Sequence, residues 1–282
     1  MVAVGAAFTN KASSPDRRRT GAKSQTMAWD AGSGTLPPMP SSSAGPADPA
    51  LIEDLVAANR ILFDQGVVDA FGHVSVRHDK NRERYLMSRS IAPASVTAED
   101  IMEYDLDSNP VDQRDRRMYF ERFIHSEMYK ARPDVNAVVH SHSPTIVPFG
   151  VARTPLKPLA QVSAFLGLGV PVFDIRKYEK GGDLMVRHAG TGRALAQSLG
   201  KAAVVLMRGH GSTAVGKSLR EVVWRAVYAE VNARQQVVAM QLGEITFLTD
   251  DEIAANAEES PADPHRAWDM WKSRALRAMG KG

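Results

Sequence analysis

The chain has 282 residues, 44% of them hydrophobic, which allows one or two domains with a substantial core. It holds no cysteine, so disulfides and thiolate metal sites are excluded, and any metal must rest on His, Asp or Glu. Most of the net charge of +3 sits in the first 48 residues; the remainder has no basic stripe suited to nucleic acid, and no apolar run nears the ~20 residues of a membrane span.

Residues 1–48 are rich in Gly, Ser, Pro and Ala and bury too little apolar surface to offset their ordering entropy. They are predicted to form a disordered N-terminal extension, with 49–282 as a single α/β domain. The Arg17–Arg19 run has a faint transit-peptide character without an amphipathic face, and Met27 offers an alternative start; a cytoplasmic protein is the expectation.

In "DPALIEDLVAANRILFDQG", Asp48 can cap a helix, Pro49 suits its first position and Gly66 stops it. "FGHVSVRHD" and "RYLMSR" flank the turn-prone "DKNRER" and predict a β-hairpin. "RRMYFERFIHSEMYKARP" predicts a helix ended by Pro133. "VNAVVHSHS" and "AAVVLMRGHGS" predict buried strands, and "TGRALAQSLG" a short helix closed by Gly200. Ser218 with Glu221 forms a capping-box pattern for a helix over 219–242, and Thr249 with Glu252 starts another. "GTGRALA" has the look of a dinucleotide fingerprint but lacks the preceding strand and distal acid, so it is taken as a helix start. His78, His188 and His265 are expected at the surface, and Trp224, Tyr228, Trp268 and Trp271 in packing or subunit contacts.

Alternate residues of a strand share a face, so His140 and His142 project together while Ser141 and Ser143 face away. An isolated H-x-H is most often a pair of satisfied core histidines. A third histidine, His210, ends another apolar strand between two glycines, and three neutral imidazoles would leave a coordination position open for catalysis. Glu121 and His125 stand four apart on the preceding predicted helix, which makes Glu121 a candidate general acid/base.

"GHVSVR", the E-x-x-x-H segment leading through "ARPDVNAVVHSHS", "VVLMRGHG" and "LTDDEI" together resemble the class II aldolase/adducin family, in that family's order, from about residue 50 to 255. The resemblance implies an α/β fold with a central, mainly antiparallel sheet between helical layers, assembled as a homotetramer with active sites between subunits. It implies that His140, His142 and His210 bind a divalent metal, most often Zn2+ with Mn2+, Fe2+ or Co2+ as alternatives, and that Glu121 is the catalytic acid.

The chain leaves the pattern of the family's sugar-phosphate aldolases where they hold phosphate. His73 replaces an Asn, Arg89 and Ser90 replace a Thr-Gly pair, and Tyr119 and Phe120 replace two serines before the acid. Gln161 aligns loosely with a tyrosine donated by a neighbouring subunit. Aromatic walls accept a planar ring and Arg89 offers a fork for a carboxylate. The branch resembled acts on hydroxylated aromatic acids, including dihydroxyphthalate-type decarboxylases. The expected substrate-binding residues are therefore His73, Arg89, Ser90 and Tyr119, with Tyr119 as the wall and Phe120 in the core. The expected activity is metal-dependent decarboxylation of a non-phosphorylated hydroxy-aromatic acid. The alternatives are an aldolase acting on a small hydroxy-carbonyl substrate, an iron-dependent oxygenase of a hydroxybenzoate, or a non-catalytic adducin-like module.

Overall fold

The computed structural model describes residues 42–180, 182–259 and 264–278. Helix α1 (Pro49–Asp64) begins as its sequence dictates. The Asp48 carboxylate accepts from Ala50 N–H at 2.8 Å, Pro49 has no N–H to leave unpaired, and Gly66 follows the helix end at φ 70°. Strands β1 (His73–Arg77) and β2 (Arg84–Ser88) form the predicted hairpin, and β3 (Ile101–Asp105) pairs with β2. Strands β4 (Ala137–Ser141), β5 (Val172–Phe173), β6 (Val204–Met207) and β7 (Gly211–Gly216) complete a seven-stranded sheet in the order β3-β2-β1-β4-β7-β6-β5. Every pairing is antiparallel except β5 with β6.

Helices α2 (Arg122–Ala131), α3 (Ile146–Val151), α4 (Ala189–Leu199) and α5 (Leu219–Leu242) pack on the sheet, while α6 (Asp250–Glu259) packs on the short 3-10 segment Gln161–Leu166 and α7 (His265–Ala278) on α1 and α5. The period of two along the strands divides the core. Ala137, Val139, Val204 and Leu206 pack with Leu55 of α1, Val222 of α5 and Trp268 of α7, whereas Val138, Val205 and Met207 pack with Ile124 and Met128 of α2 and Leu195 of α4. The sheet therefore lies between helical layers, as expected. Trp268 and Trp271 are buried in the first of these clusters. Both expected caps form: Ser218 Oγ accepts from the N–H of Glu221, whose carboxylate takes the Lys217 N–H in place of the cap residue's own, and Thr249 and Glu252 exchange both bonds of a full box. In "GTGRALA", a Cβ on Gly192 would stand 2.6 Å from the Phe123 carbonyl oxygen, so that glycine serves the close packing of α4 on α2.

Three expectations change. Helix α2 starts at Arg122, not near Arg116, with Glu121 as its N-cap residue. The Tyr119 hydroxyl donates to Ile91 O at 2.7 Å and Arg122 Nε to Ser108 O at 2.9 Å, and these tertiary bonds hold the approach to the helix non-helical. Residues 42–48, expected in the extension, are tied to the sheet: Ser43 Oγ and Ala44 N–H donate to Glu103, and Arg84 donates to Ser42 O. His78 is buried, with Nε2 donating to Gly45 O at 3.0 Å. The rest of the expected extension, residues 1–41, lies outside the described residues.

Candidate metal centre and cavity

The register of the sheet gathers the site. β1 places His73 opposite His140 of β4, and β4 places Ser141 opposite Ser212 of β7. His73, Ser75, Val138 and His140 thus share the face that α2 covers. His142 follows the end of β4, where the Ser143 and Thr145 hydroxyls and Thr145 N–H all donate to the buried Glu230 carboxylate of α5. That clamp fixes the backbone carrying His142. His210 lies not in a strand but in the β6–β7 turn, closed by His210 N–H to Met207 O at 3.0 Å. The third turn position needs a positive φ, and Gly209 supplies it at 66°.

The imidazoles converge. His142 Nε2 is 3.1 Å from His140 Nε2 and 3.1 Å from His210 Nε2. Glu121 Oε2 stands 3.5 Å from His140 Nε2 and 3.4 Å from His210 Nε2. One ligand atom from each of the four residues lies within 4.8 Å of every other. His140 Nδ1 donates to Ser212 O at 3.0 Å, so its Nε2 carries the lone pair facing the cluster. Glu121 Oε1 accepts from Val186 N–H at 3.0 Å, leaving Oε2 for the cluster. His210 Nδ1 is buried without a partner among the described residues.

Burial opposes ionisation of Glu121, but the facing imidazoles of His140 and His210 outweigh it and hold the carboxyl well below its usual range. Burial, reinforced by His140 and His210, lowers His142 to about 4. Burial lowers His73 and brings His125 to about 3, with neighbouring histidines acting in the same direction.

Beside these residues opens a cavity of about 410 Å³. Of the expected substrate residues, His73, Ser90 and Tyr119 line it. The Tyr119 ring packs 4.5 Å from that of His73, and its hydroxyl is committed to Ile91 O, so the ring is a wall and not a donor. Phe120 also lines the cavity and is 64% exposed, which corrects its placement in the core. Both aromatics reach one cavity because residues 119 and 120 are not helical.

Arg89 is the second correction. It is not among the lining residues; its Nε donates to Asp100 Oδ1 at 2.5 Å and its backbone N–H to Asp100 O at 2.7 Å. Asp100 is itself held by Thr97, so the guanidinium is engaged by a carboxylate of the chain's own. Sequence reading missed Phe71 and Met185, which line the cavity, and the role of His125. His125 does not pair with Glu121; it bonds His73 and Ser75. No local pattern marks a contact between residues about fifty apart.

Residues 53–237 match the family described as Class II Aldolase and Adducin N-terminal domain. The chain is 37% identical over 244 residues to Decarboxylase tropJ of Talaromyces stipitatus, across 78% of this chain and 92% of that protein. It is 29% identical over 213 residues to a 3,4-dihydroxyphthalate decarboxylase of Arthrobacter keyseri, across 72% of this chain and 84% of the relative. Among solved structures, L-fuculose 1-phosphate aldolase from Glaciozyma antarctica PI12 superposes with a TM-score of 0.68 at 23% identity, covering 82% of this chain and 90% of that one; this likeness concerns the fold. The chain belongs to the class II aldolase and adducin family, on the branch that contains decarboxylases.

Proposed function

We propose that this enzyme is a divalent-metal-dependent decarboxylase that releases CO2 from a non-phosphorylated, hydroxylated aromatic acid. The observation that carries the reading is the convergence of three imidazole nitrogens and one carboxylate beside a cavity walled by aromatic rings. Ligand nitrogens about 2.0–2.1 Å from a tetrahedral zinc stand roughly 3.3 Å apart. The 3.1 Å spacings fit that arrangement, and the committed Nδ1 of His140 leaves the lone pair a metal needs. His140, His142 and His210 would hold the ion. Zn2+ is the first choice on the nitrogen-rich donor set, with Mn2+, Fe2+ and Co2+ able to use it.

An ion held there would supply Lewis acidity, stabilising the negative charge that develops on a substrate oxygen when the carbon–carbon bond breaks. The remaining work belongs to side chains. Glu121, ionised in the free site and anchored through Oε1, takes the proton of the substrate's ring hydroxyl and delivers it to the carbon from which CO2 departs. The product phenolate then takes a proton from solvent as it leaves. Tyr119 and Phe120 flank the ring where sugar-phosphate relatives place hydroxyls, so the wall suits a planar ring better than a phosphate. With Arg89 engaged by Asp100, the polar groups left for the carboxylate are His73 and Ser90.

The test is CO2 release by the metal-loaded protein from a panel of hydroxybenzoates and dihydroxyphthalates, beside sugar phosphates and small aldol substrates, with and without oxygen. Oxygen-independent CO2 release from an aromatic acid is expected. Cleavage of a sugar phosphate with aromatic acids inert, or strict oxygen dependence, would contradict the reading. The homotetramer is also proposed, on family resemblance, and light scattering reporting a monomer at micromolar concentration would contradict it.

A further inference from the structure

Behind His73 the cavity wall continues into three buried polar groups, His125, Ser75 and Tyr129, that have no part in the scheme above. His73 Nδ1 lies 2.6 Å from His125 Nε2, His125 Nδ1 lies 2.6 Å from Ser75 Oγ, and Ser75 Oγ lies 2.7 Å from the Tyr129 hydroxyl. His125, Ser75 and Tyr129 are buried to 1% exposure or less, and His73 is 3% exposed. Arg77 packs over the Tyr129 ring at 4.7 Å and donates to the Tyr129 carbonyl, which holds the far end still.

Each link needs one donor and one acceptor. A neutral imidazole has one N–H and a hydroxyl one O–H, so the four proton positions are coupled and the line has two polarities. In one, protons point from His73 toward Tyr129: His73 Nδ1–H donates to His125, His125 Nδ1–H to Ser75, and Ser75 to Tyr129. The Tyr129 proton is then stranded, because Ser75 is the hydroxyl's one hydrogen-bond partner among the described residues. In the other, Tyr129 donates to Ser75, Ser75 to His125 Nδ1, and His125 Nε2–H to His73 Nδ1, so the one proton left outside the line is on Nε2 of His73, the residue that lines the cavity. A stranded buried donor disfavours the first polarity by roughly 5- to 150-fold. Burial keeps His125 neutral, with its pKa lowered to about 3.

We propose that this line is a polarised hydrogen-bond wire that holds His73 as its Nε2–H tautomer, so that the cavity wall presents an N–H donor to the substrate. Ser75, His125 and Tyr129 are then positioning residues. The substrate atom that meets His73 must be an acceptor: a carboxylate or phenolate oxygen, not a cation. The choice of ligand rests on the decarboxylase reading, whereas the tautomer follows from the wire alone.

The experiment is long-range 1H–15N NMR of the 15N-histidine-labelled full chain. Wild type should show His73 and His125 protonated at Nε2 and bare at Nδ1. Tyr129→Phe leaves Ser75 as the terminal hydroxyl and should keep that pattern, while Ser75→Ala removes the donor to His125 Nδ1 and should mix the tautomers. His125→Asp offers His73 an acceptor only and should turn it to Nδ1–H. Benzoate, as the carboxylate probe, should then bind at least tenfold more weakly at unchanged metal content. A wild-type His73 protonated at Nδ1 overturns the proposal whatever the activity, as does a Ser75→Ala spectrum identical to wild type. Loss of decarboxylase activity with the Nε2–H pattern intact would count against the function and not the wire.

Discussion

Gly211→Ala tests the way the sheet carries the histidines. Gly211 opens β7, directly across from the backbone that ends β4. An alanine Cβ there would stand 2.0 Å from Ser141 O, 3.0 Å from Ser141 C and 3.1 Å from His142 Cδ2. Nonbonded Cβ contacts do not close below 3.0 Å, so the two strands must part by about 1 Å. Ser141 sits between His140 and His142, and the neighbouring Ser212 carbonyl orients His140. The movement therefore falls on two proposed ligands and on the group that sets the tautomer of one. Overpacking of this kind costs about 1–3 kcal/mol, and weakening a ladder hydrogen bond adds about 1 kcal/mol. A loss of 2–4 kcal/mol corresponds to a fall in Tm of roughly 5–15 °C. Metal geometry tolerates about 0.2 Å, so affinity should fall by at least the 10–100-fold typical of disturbed supporting groups. Thermal unfolding and a chelator-competition titration read the two effects. Wild-type Tm with wild-type metal affinity would refute the account of how β4 and β7 meet.

Glu121→Gln should keep the metal and lose about 10²–10⁴-fold in turnover, since the nearly isosteric amide cannot take and return a proton; equal kcat in the variant would give that role to another group. Arg89→Ala should leave KM for an aromatic acid within about twofold and cost at most about 1 kcal/mol of stability, because the partly exposed Arg89 pairs with Asp100. A large rise in KM without loss of stability would return Arg89 to the substrate. Acid should weaken the fold through His125, whose folded pKa of about 3 lies below its ordinary 6.5. The neutral ring's contribution is full above pH 6.5 and is lost as pH falls toward 3, up to roughly 4–5 kcal/mol. Urea midpoints should drop below pH 6.5 with a slope that His125→Gln flattens, and a wild-type profile flat between pH 6.5 and 4 would contradict the depressed value.

The parts of the fold legible in the sequence were those specified locally. Asp48, Pro49 and Gly66 delimit α1, Ser218 and Glu221 open α5, and the H-x-H pattern brings two histidines to one side of β4. The start of α2 was not legible, because nothing near Arg116 announces that the Tyr119 hydroxyl will reach Ile91. Strand β7 was hidden by its composition: four of the six residues of "GSTAVG" are Gly, Ser or Ala, and its end glycines are required by close backbone approach, since a Cβ on Gly216 would stand 2.8 Å from Val222 N. Strand β3 was missed although "IMEYD" alternates as an edge strand should. Arg89 was misplaced because residue type suggested a carboxylate partner, and the carboxylate it found is the chain's own Asp100. The cluster of Glu121 with three histidines was legible by motif, while the wire behind His73 depends on a cross-sheet register that no sequence window contains.

The central claim is tested most directly by metal stoichiometry of the purified chain, wild type against His140→Ala/His142→Ala, by inductively coupled plasma mass spectrometry after gel filtration. The account predicts about one divalent ion per wild-type chain and almost none in a folded double variant, since a lone imidazole with Glu121 cannot hold what three imidazoles hold. Full metal content in the double variant would contradict it.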